Sequence, residues 1–501
     1  MNEQQYTELC EACDKLLPVS CTAVERMSIA WLQVLNEHPS NLKNYESVFE
    51  GDNSSLSAKL QVWAWHLLQL LKATVQRRHP AGPQKNKEAV DVIIVSHMLN
   101  IAHAGEPEDF YFGNIPDELK KRGLKTLVVL RNHTSAAAHQ LELKWGTDSA
   151  PRLILPNLLS LADELTLRWR LFLERRQLKE SARDAVSEFQ KQVMKTAATK
   201  ALAPDSISTL RFYLQIKRIA EQSGATAIAV TYEGHAWERL AFSAGRSASP
   251  SIHCIGYQHA ILFPRQHAIK QHLGREYNPD VILTSGEVTR DVLHAAAGLR
   301  SVRVVSVGTH RQDKSSMSLA DKIRNTSSPA CLVIPDGTME ECLTILSVVL
   351  EAAGQAPDIR FIVRMHPVMP FSSVVQVDRR LQRLPENIEL SKQSLAADFD
   401  ECRWAIYRGS GAAIRAVAAG LRPFYFARPD ELHIDPIYPL RVWRTVINTP
   451  AGLIAGIRKD LLRDICALEE EWIGAQVFCK KYFMPVDVDV FCNEFSGRVS
   501  F

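Results

Sequence analysis

Three short segments in the C-terminal half of the chain put chemically capable side chains directly after apolar runs. Ala330-Cys331-Leu332-Val333-Ile334-Pro335 leads into Asp336-Gly337, Arg360-Phe361-Ile362-Val363-Arg364-Met365 leads into His366-Pro367, and Trp404-Ala405-Ile406-Tyr407 leads into Arg408-Gly409-Ser410-Gly411. Each run has the length and residue types of a buried strand and stops at a polar turn. In an open α/β sheet, ligands bind in the crevice beyond the carboxyl ends of the strands. A carboxylate, an imidazole near a guanidinium, and a glycine-serine turn around one crevice suit the handling of a phosphorylated, activated donor.

The spacing supports a shared site. Asp336 precedes His366 by 30 residues, and adjacent βαβ units of ~30 residues place such side chains on neighbouring strand ends. A carboxylate at Asp336 can act as nucleophile or general base; the alternative is a cap for the helix that begins near Met339. Glu340 and Glu341 fall in the first turn of that helix, where the dipole favours them. Pro367 holds His366 extended, and the imidazole can meet a departing phosphate as a hydrogen-bond or proton donor. Arg364 can pair with phosphate oxygens. In the third turn, Gly409, Ser410 and Gly411 bring backbone N–H groups and a hydroxyl to a helix start, where anions bind. That turn is richer in glycine than a plain cap requires.

The first half offers a second set. Thr231-Tyr232-Glu233-Gly234-His235-Ala236-Trp237-Glu238 follows another strand-like run. Glu233 is the candidate carboxylate from this half, and Glu238, at helical spacing, is expected to be structural. Gln258 and His259, in Gly256-Tyr257-Gln258-His259-Ala260, offer an amide and an imidazole for sugar hydroxyls, or else form a buried polar cluster. Ser96-His97 and Gly308-Thr309-His310 close two more runs; a lone strand-end histidine is expected to be structural.

The elements that must position these groups alternate. Residues 1 to about 80 show helical periodicity, as in Ala23–Leu35 and Leu56–Thr74, before the breaker His79-Pro80-Ala81-Gly82-Pro83. Strand-like runs then occur at Val90–Val95, Lys125–Leu130, Thr226–Thr231 and Ile252–Gly256, and a second set begins at Val281–Thr284 and continues through Val302–Val307, Cys331–Ile334, Arg360–Arg364, Arg403–Tyr407 and Arg422–Phe426. Strands alternating with helices imply parallel sheets in βαβ units. The expected fold class is α/β: two doubly wound Rossmann-type domains facing across a cleft, with a helical N-terminal segment. The expected divisions are 1–85, 86–272, 273–450, and a helical tail over 451–501 that crosses back.

The composition bounds the rest. The chain has 501 residues, 46% hydrophobic and 23% charged, with a formal net charge of +3. That length suffices for two or more domains, and that charge gives no bulk pull toward nucleic acid. Ten scattered cysteines and no signal-peptide pattern predict a reducing, cytoplasmic setting. No apolar run reaches the ~18 residues of a membrane span. Cys10-x-x-Cys13 with Cys21 lacks a second close pair and is expected to be helical rather than a metal site. Leucines and arginines interleave over 153–180, a pattern that fits a core-packed helix or peripheral contact with an anionic inner membrane.

Taken together, the motifs resemble a known group. The paired domains and motif order resemble a GT-B glycosyltransferase. Asp336-Gly337, His366-Pro367 and Gly409-Ser410-Gly411 resemble bacterial transferases that use CMP-activated acidic sugars: retaining β-Kdo transferases and sialyl- and polysialyltransferases of surface polysaccharide (capsule or lipopolysaccharide) biosynthesis. The segments around Glu233 and Gln258 resemble bacterial surface-carbohydrate biosynthesis proteins. The resemblance covers roughly residues 90–450. It implies a nucleotide-sugar donor bound by the domain at 273–450, a glycan or glycolipid acceptor bound by the domain at 86–272, and no cofactor or metal beyond the CMP-sugar. It further implies that His366 contacts the CMP phosphate, that the Ser410 turn holds it, and that Asp336 is nucleophile in a Kdo-like enzyme, with Glu233 as acid/base, or general base in a sialyl-like one. Sialyltransferases often carry two acidic residues before the glycine, and here Pro335 fills the first place. A UDP- or GDP-sugar GT-B enzyme, an epimerase, and a non-catalytic GT-B-like scaffold are the other readings the sequence leaves open.

Overall fold

The computed structural model describes residues 2–16, 23–28, 56–75, 89–134, 136–142, 150–310, 319–320, 323, 330–429 and 431–495. Two parallel sheets form the framework. The first contains β1 (Val92–Met98), β2 (Thr126–Asn132), β3 (Arg152–Ile154), β4 (Ala227–Thr231), β5 (His253–Gln258), β6 (Val281–Thr284) and β7 (Arg303–Ser306), in the order β3-β2-β1-β4-β5-β6-β7. The second contains β8 (Ala330–Ile334), β9 (Arg360–Val363), β10 (Ile388–Leu390), β11 (Cys402–Tyr407), β12 (Arg422–Phe426) and β13 (Thr445–Ile447), in the order β10-β9-β8-β11-β12-β13. Helices cover both faces of the central strands. Residues 92–95 of β1 and all of β4 and β8 are therefore buried on each side, which is why they read as apolar runs rather than alternating ones. The architecture is α/β: two doubly wound Rossmann-type domains with helical elements at the N-terminus.

One expectation is corrected. The strands at 281–284 and 302–307 were placed with the second set and the division at 272/273. Instead β5 pairs with β6 and β6 with β7, all in parallel, so the boundary follows β7. An apolar run looks the same in either sheet; only pairing decides its membership. The short edge strands β3, β10 and β13 left no sequence signal because three residues, as in Ile388-Glu389-Leu390, carry no period.

Each sheet has one place where strand order reverses. In the first, the connections run outward to opposite sides from β1 and β4; in the second, from β8 and β11. Doubly wound folds bind ligands at such a reversal.

The tail ties the domains together. The helix Ile465–Tyr482 buries Leu468, Trp472 and Cys479 in the second domain, and its Tyr482 hydroxyl accepts from Leu262 N of the first at 2.8 Å. The chain then returns to the first domain: Met484 N donates to Ser285 O, Thr309 N to Met484 O, and Asp487 N to Val307 O. A Cβ on Gly308, at φ +81, would lie 2.0 Å from Pro485 O, so the Gly308-Thr309 strand end is where this return segment docks. At the other end of the chain, the helix Glu3–Leu16 buries Cys10 and Cys13 among Leu178, Val193 and Ala197. Burial pushes the Cys10 thiol up to about 12, so both cysteines serve as core residues. Cys21, residues 29–35 and the breaker at 79–83 lie outside the described residues.

Candidate functional site

The three C-terminal turns meet at the β8/β11 reversal. β8 lies between β9 and β11, with Val333 opposite Val363 and Ile334 opposite Tyr407. The turns that follow are therefore neighbours. A Cβ on Gly337 would lie 2.9 Å from Nδ1 of His366, so the lack of a side chain lets the Asp336 turn lie against the imidazole. Asp336 Oδ1 accepts the N–H of Thr338 at 2.7 Å. That contact fixes the turn, while Thr338, not Asp336, caps the helix Met339–Gln355.

His366 is oriented by its own loop. Nδ1 accepts the N–H of Val368 at 3.3 Å, which leaves the hydrogen of the neutral ring on Nε2. Burial lowers the imidazole's pKa, with the Asp336 charge opposing. At neutral pH the ring is thus suited to donate a hydrogen bond from Nε2 rather than to deliver a proton.

Two of the expected phosphate contacts change. Arg364 Nη1 donates to Asp398 at 2.6 Å, to Gln393 O at 2.9 Å and to Ser391 Oγ at 3.3 Å. Asp398 is 1% exposed, and a buried carboxylate needs its cation. Arg364 therefore staples the β9 end to the helix Leu395–Glu401 through Nη1. Gly411 has an ordinary helical φ of −63°, and a Cβ there would lie 3.1 Å from Ile261 Cγ2. Its glycine is explained by the approach of the first domain. The helix that follows, Ala412–Ala418, has seven residues, too short for a strong terminal dipole. What remains for an anion is Gly409 and the buried Ser410.

Beneath this edge sits an ion cluster that the sequence did not announce. Arg408 is fully buried; its Nε lies 2.7 Å from Glu341 and its Nη2 2.6 Å from Glu431. Arg428 pairs with Glu431 at 2.6 Å. Burial pushes the Glu341 carboxyl up to about 7, restrained by Arg408 and reinforced by Asp336 and Glu431. A charged residue between an apolar strand and a Gly-Ser-Gly turn was the one available signal.

The first domain forms a different edge at its β1/β4 reversal. His97, at the end of β1, sits 2.8 Å from His133 through Nδ1 and 3.1 Å from Thr231 Oγ1 through Nε2. Tyr111 packs edge-on to His259, with ring centroids 4.2 Å apart, and to His97 at 5.4 Å. The loop that carries Tyr111 is fixed by buried Asp109, whose Oδ1 accepts from Ser96 Oγ and from the N–H groups of Tyr111 and Phe112. Burial drives His97 well below its ordinary value, and burial with nearby Arg131 drives His133 and His235 down to about 4.

Glu233 belongs to this edge. Glu238 Oε2 accepts three N–H groups, from residues 233, 234 and 235, each at 2.8 Å, and so shapes the turn. Gly234, at φ +89, passes where a Cβ would lie 2.4 Å from Ile269 N. The Glu233 carboxylate is left half-buried, with Oε1 3.7 Å from His259 Nε2. Gln258 is fully buried and its Nε2 clamps Ala260 O; it shapes the turn rather than offering an amide to a sugar. His259 is buried as well and faces Glu233 and Tyr111. The next residues, Ile261 and Phe263, pack into the second domain's core beside the Ser410 turn. One loop thus links the two edges.

His97 was read as a structural strand-end residue, and His133, His235 and Tyr111 were given no role, because each is a single residue in its own segment; four separate turns bring them together. Among the described residues no group of three or more His, Cys, Asp or Glu side chains is arranged to hold a metal.

No family model and no curated protein matches the sequence. Among solved structures, the chain is similar to the glycosyltransferase of kitacinnamycin, with 13% identity over 81% of this chain and 99% of that one and a TM-score of 0.43. It is similar to CalG4, the calicheamicin glycosyltransferase, at 11% identity over 82% and 100% of the two chains, with a TM-score of 0.44. It is also similar to UDP-GlcNAc 2-epimerase from Neisseria meningitidis bound to UDP-GlcNAc, at 11% identity over 81% and 100%, with a TM-score of 0.44.

Proposed function

We propose that this protein is a glycosyltransferase that moves an acidic, Kdo-like sugar from a CMP-activated donor to a glycan or glycolipid acceptor in the assembly of a bacterial surface polysaccharide. The observation that carries the reading is the packing of the Asp336-Gly337 turn on His366, beside the Ser410 turn, at the β8/β11 reversal. An Asp-Gly turn, a histidine-proline strand end and a serine turn are the set that resembles the CMP-sugar transferases, and here they share one edge.

In this reading the Nε2–H of His366 and the Ser410 hydroxyl hold the CMP phosphate. An Asp336 carboxylate oxygen attacks the anomeric carbon, and the bond from that carbon to the phosphate oxygen breaks. CMP leaves with the electron pair, stabilised by the His366 hydrogen bond. Glu233 then accepts the proton of an acceptor hydroxyl, whose oxygen attacks the anomeric carbon and displaces Asp336. No step calls for a divalent metal.

The test is ligand-dependent unfolding, followed by product analysis. CMP should raise the melting temperature more than UMP or GMP, with EDTA present; a ligand at about 100 times its Kd stabilises by ~2.7 kcal/mol. Preference for UDP or GDP, or a strict need for manganese, would replace the donor assignment. With a slow acceptor, a sugar adduct on Asp336 should appear by intact-protein mass spectrometry. Inverted product without an adduct would instead make Asp336 a general base.

A further inference from the structure

Two neighbouring helices of the first domain leave apolar side chains in water. The helix Leu56–Val75 packs against the helix Leu161–Ser181. On the former, His66 and Ala73 turn inward, while Trp63 (62% exposed), Leu67, Leu68 and Leu71 stay in solvent. On the latter, Leu167, Leu171 and Leu178 turn inward. Leu161, Leu165, Trp169 (61% exposed), Phe172 and Leu173 stay outside, at the steps that align on one helix face. Trp169 and Phe172 stack with centroids 5.7 Å apart. Single exposed apolar residues need no explanation, but two adjacent stripes, each with a tryptophan, mark an interaction surface.

The charges around the stripes select the occupant. Residues 56–75 include Lys59 and Lys72 and no acidic residue. The second helix ends with exposed Arg176 and Lys179. Its acids are turned away or spent: Glu164 is buried against Arg211 and Arg168, Asp163 pairs with Arg218, Glu174 is buried, and exposed Glu180 pairs with Arg176. A two-fold contact with a second copy would set this cationic rim against itself. A bilayer with anionic headgroups attracts the cations and receives tryptophan at its interface.

We propose that these two helices dock the protein on an anionic lipid bilayer. The apolar stripes enter the headgroup boundary, and exposed Lys72 and Lys179 meet lipid phosphates. None of the described helices is long and apolar enough to cross the membrane, so the contact is peripheral. The helix Leu161–Ser181 follows β3, which lies two strand spacings (~10 Å) from β1. A docked bilayer would lie beside the edge that carries His97 and Glu233. The docking stands apart from the transfer reading and can fail or hold without it.

The test is flotation of the full-length protein with vesicles of mixed phosphatidylglycerol and phosphatidylcholine, compared with phosphatidylcholine alone. Wild type should float with the mixed vesicles and bind the neutral ones about tenfold more weakly. Trp63→Ser with Trp169→Ser should lower partition into mixed vesicles by about tenfold or more, with an unchanged melting temperature and unchanged turnover of a water-soluble acceptor. Leu67→Gln with Leu165→Gln serves as a second pair should the tryptophan variant misfold. Lys72→Gln with Lys179→Gln should bring binding to mixed vesicles toward the neutral level. Wild type that remains in the lipid-free fraction, or tryptophan and leucine variants that float as well as wild type, would overturn the proposal. So would concentration-dependent dimerisation of wild type that the tryptophan variant loses, since that would give the face to a second copy.

Discussion

The two sheet edges share one plan and carry different electrostatics. Each sheet reverses its strand order once, and each reversal gathers polar and titratable side chains on the turns beyond it. The first-domain edge holds imidazoles kept neutral by burial, faced by Tyr111, with one half-buried carboxylate at Glu233. The second-domain edge holds Asp336 and His366 above buried, paired charges at Glu341, Arg408 and Glu431. Neutral donors and aromatic faces suit hydroxyl groups; at the second edge the guanidinium is already paired, and the groups left to meet an anion are His366 and the Ser410 turn. One architecture thus supplies two unlike edges, and the proposed transfer uses both.

The comparison breaks most sharply at Asp336. Asp336→Ala should lower turnover by about four orders of magnitude and leave CMP binding within a few-fold of wild type, because in the proposed transfer the carboxylate meets the reacting carbon and not the nucleotide. Wild-type turnover in this variant would remove Asp336 from the chemistry and leave it the structural task of bonding Thr338. Glu233→Gln should lower turnover by about 10²- to 10⁴-fold without a change in CMP affinity, which would place the first-domain edge on the acceptor side.

The buried cluster is a stability matter. Arg408→Met strands Glu341, while Glu431 keeps Arg428, and should cost ~3–5 kcal/mol, measured by urea unfolding. Arg408→Met paired with Glu341→Leu should recover part of that loss. His366→Ala should weaken CMP binding and turnover together by about tenfold to a hundredfold, the size of a hydrogen bond to a charged group.

The pH dependence should separate the two edges. In the first, the native state holds His133 and His235 down to about 4, whereas the unfolded chain takes up those protons near 6.5. Stability from this edge therefore falls as pH drops from about 6.5 toward 4. In the second, Glu341 is raised to about 7, so its contribution is present below about 4.5 and lost as pH rises through 7. Glu341→Gln should flatten the alkaline limb of a melting-temperature profile and leave the acid limb alone; His133→Gln with His235→Asn should do the reverse. A single limb that responds to both variants would show that the edges titrate as one unit. The smallest effect belongs to Gly411→Ala, whose methyl would press on Ile261. It should cost ~1 kcal/mol or less in stability and raise KM, since it pries the linking loop from the Ser410 turn.

The local order of this chain was written in its residues. Buried parallel strands must be apolar on both faces, so β1, β4, β5, β8, β9, β11 and β12 announced themselves as apolar runs, and the polar turns after them pointed to the strand ends. Asp336, His366 and Ser410 were found this way, because a polar residue at the abrupt end of an apolar run is a local signal. Tertiary structure decided the rest. Pairing alone gave β6 and β7 to the first sheet, since an apolar strand carries no mark of its partner. A buried acid, Asp398, gives Arg364 a partner that its sequence did not announce, and Ile261 from the other domain explains Gly411. The histidine edge and the Arg408 cluster are assembled from turns far apart in sequence. Their neutral or paired states arise only when folding removes water and brings unlike charges within a few ångströms, a condition that no local pattern encodes.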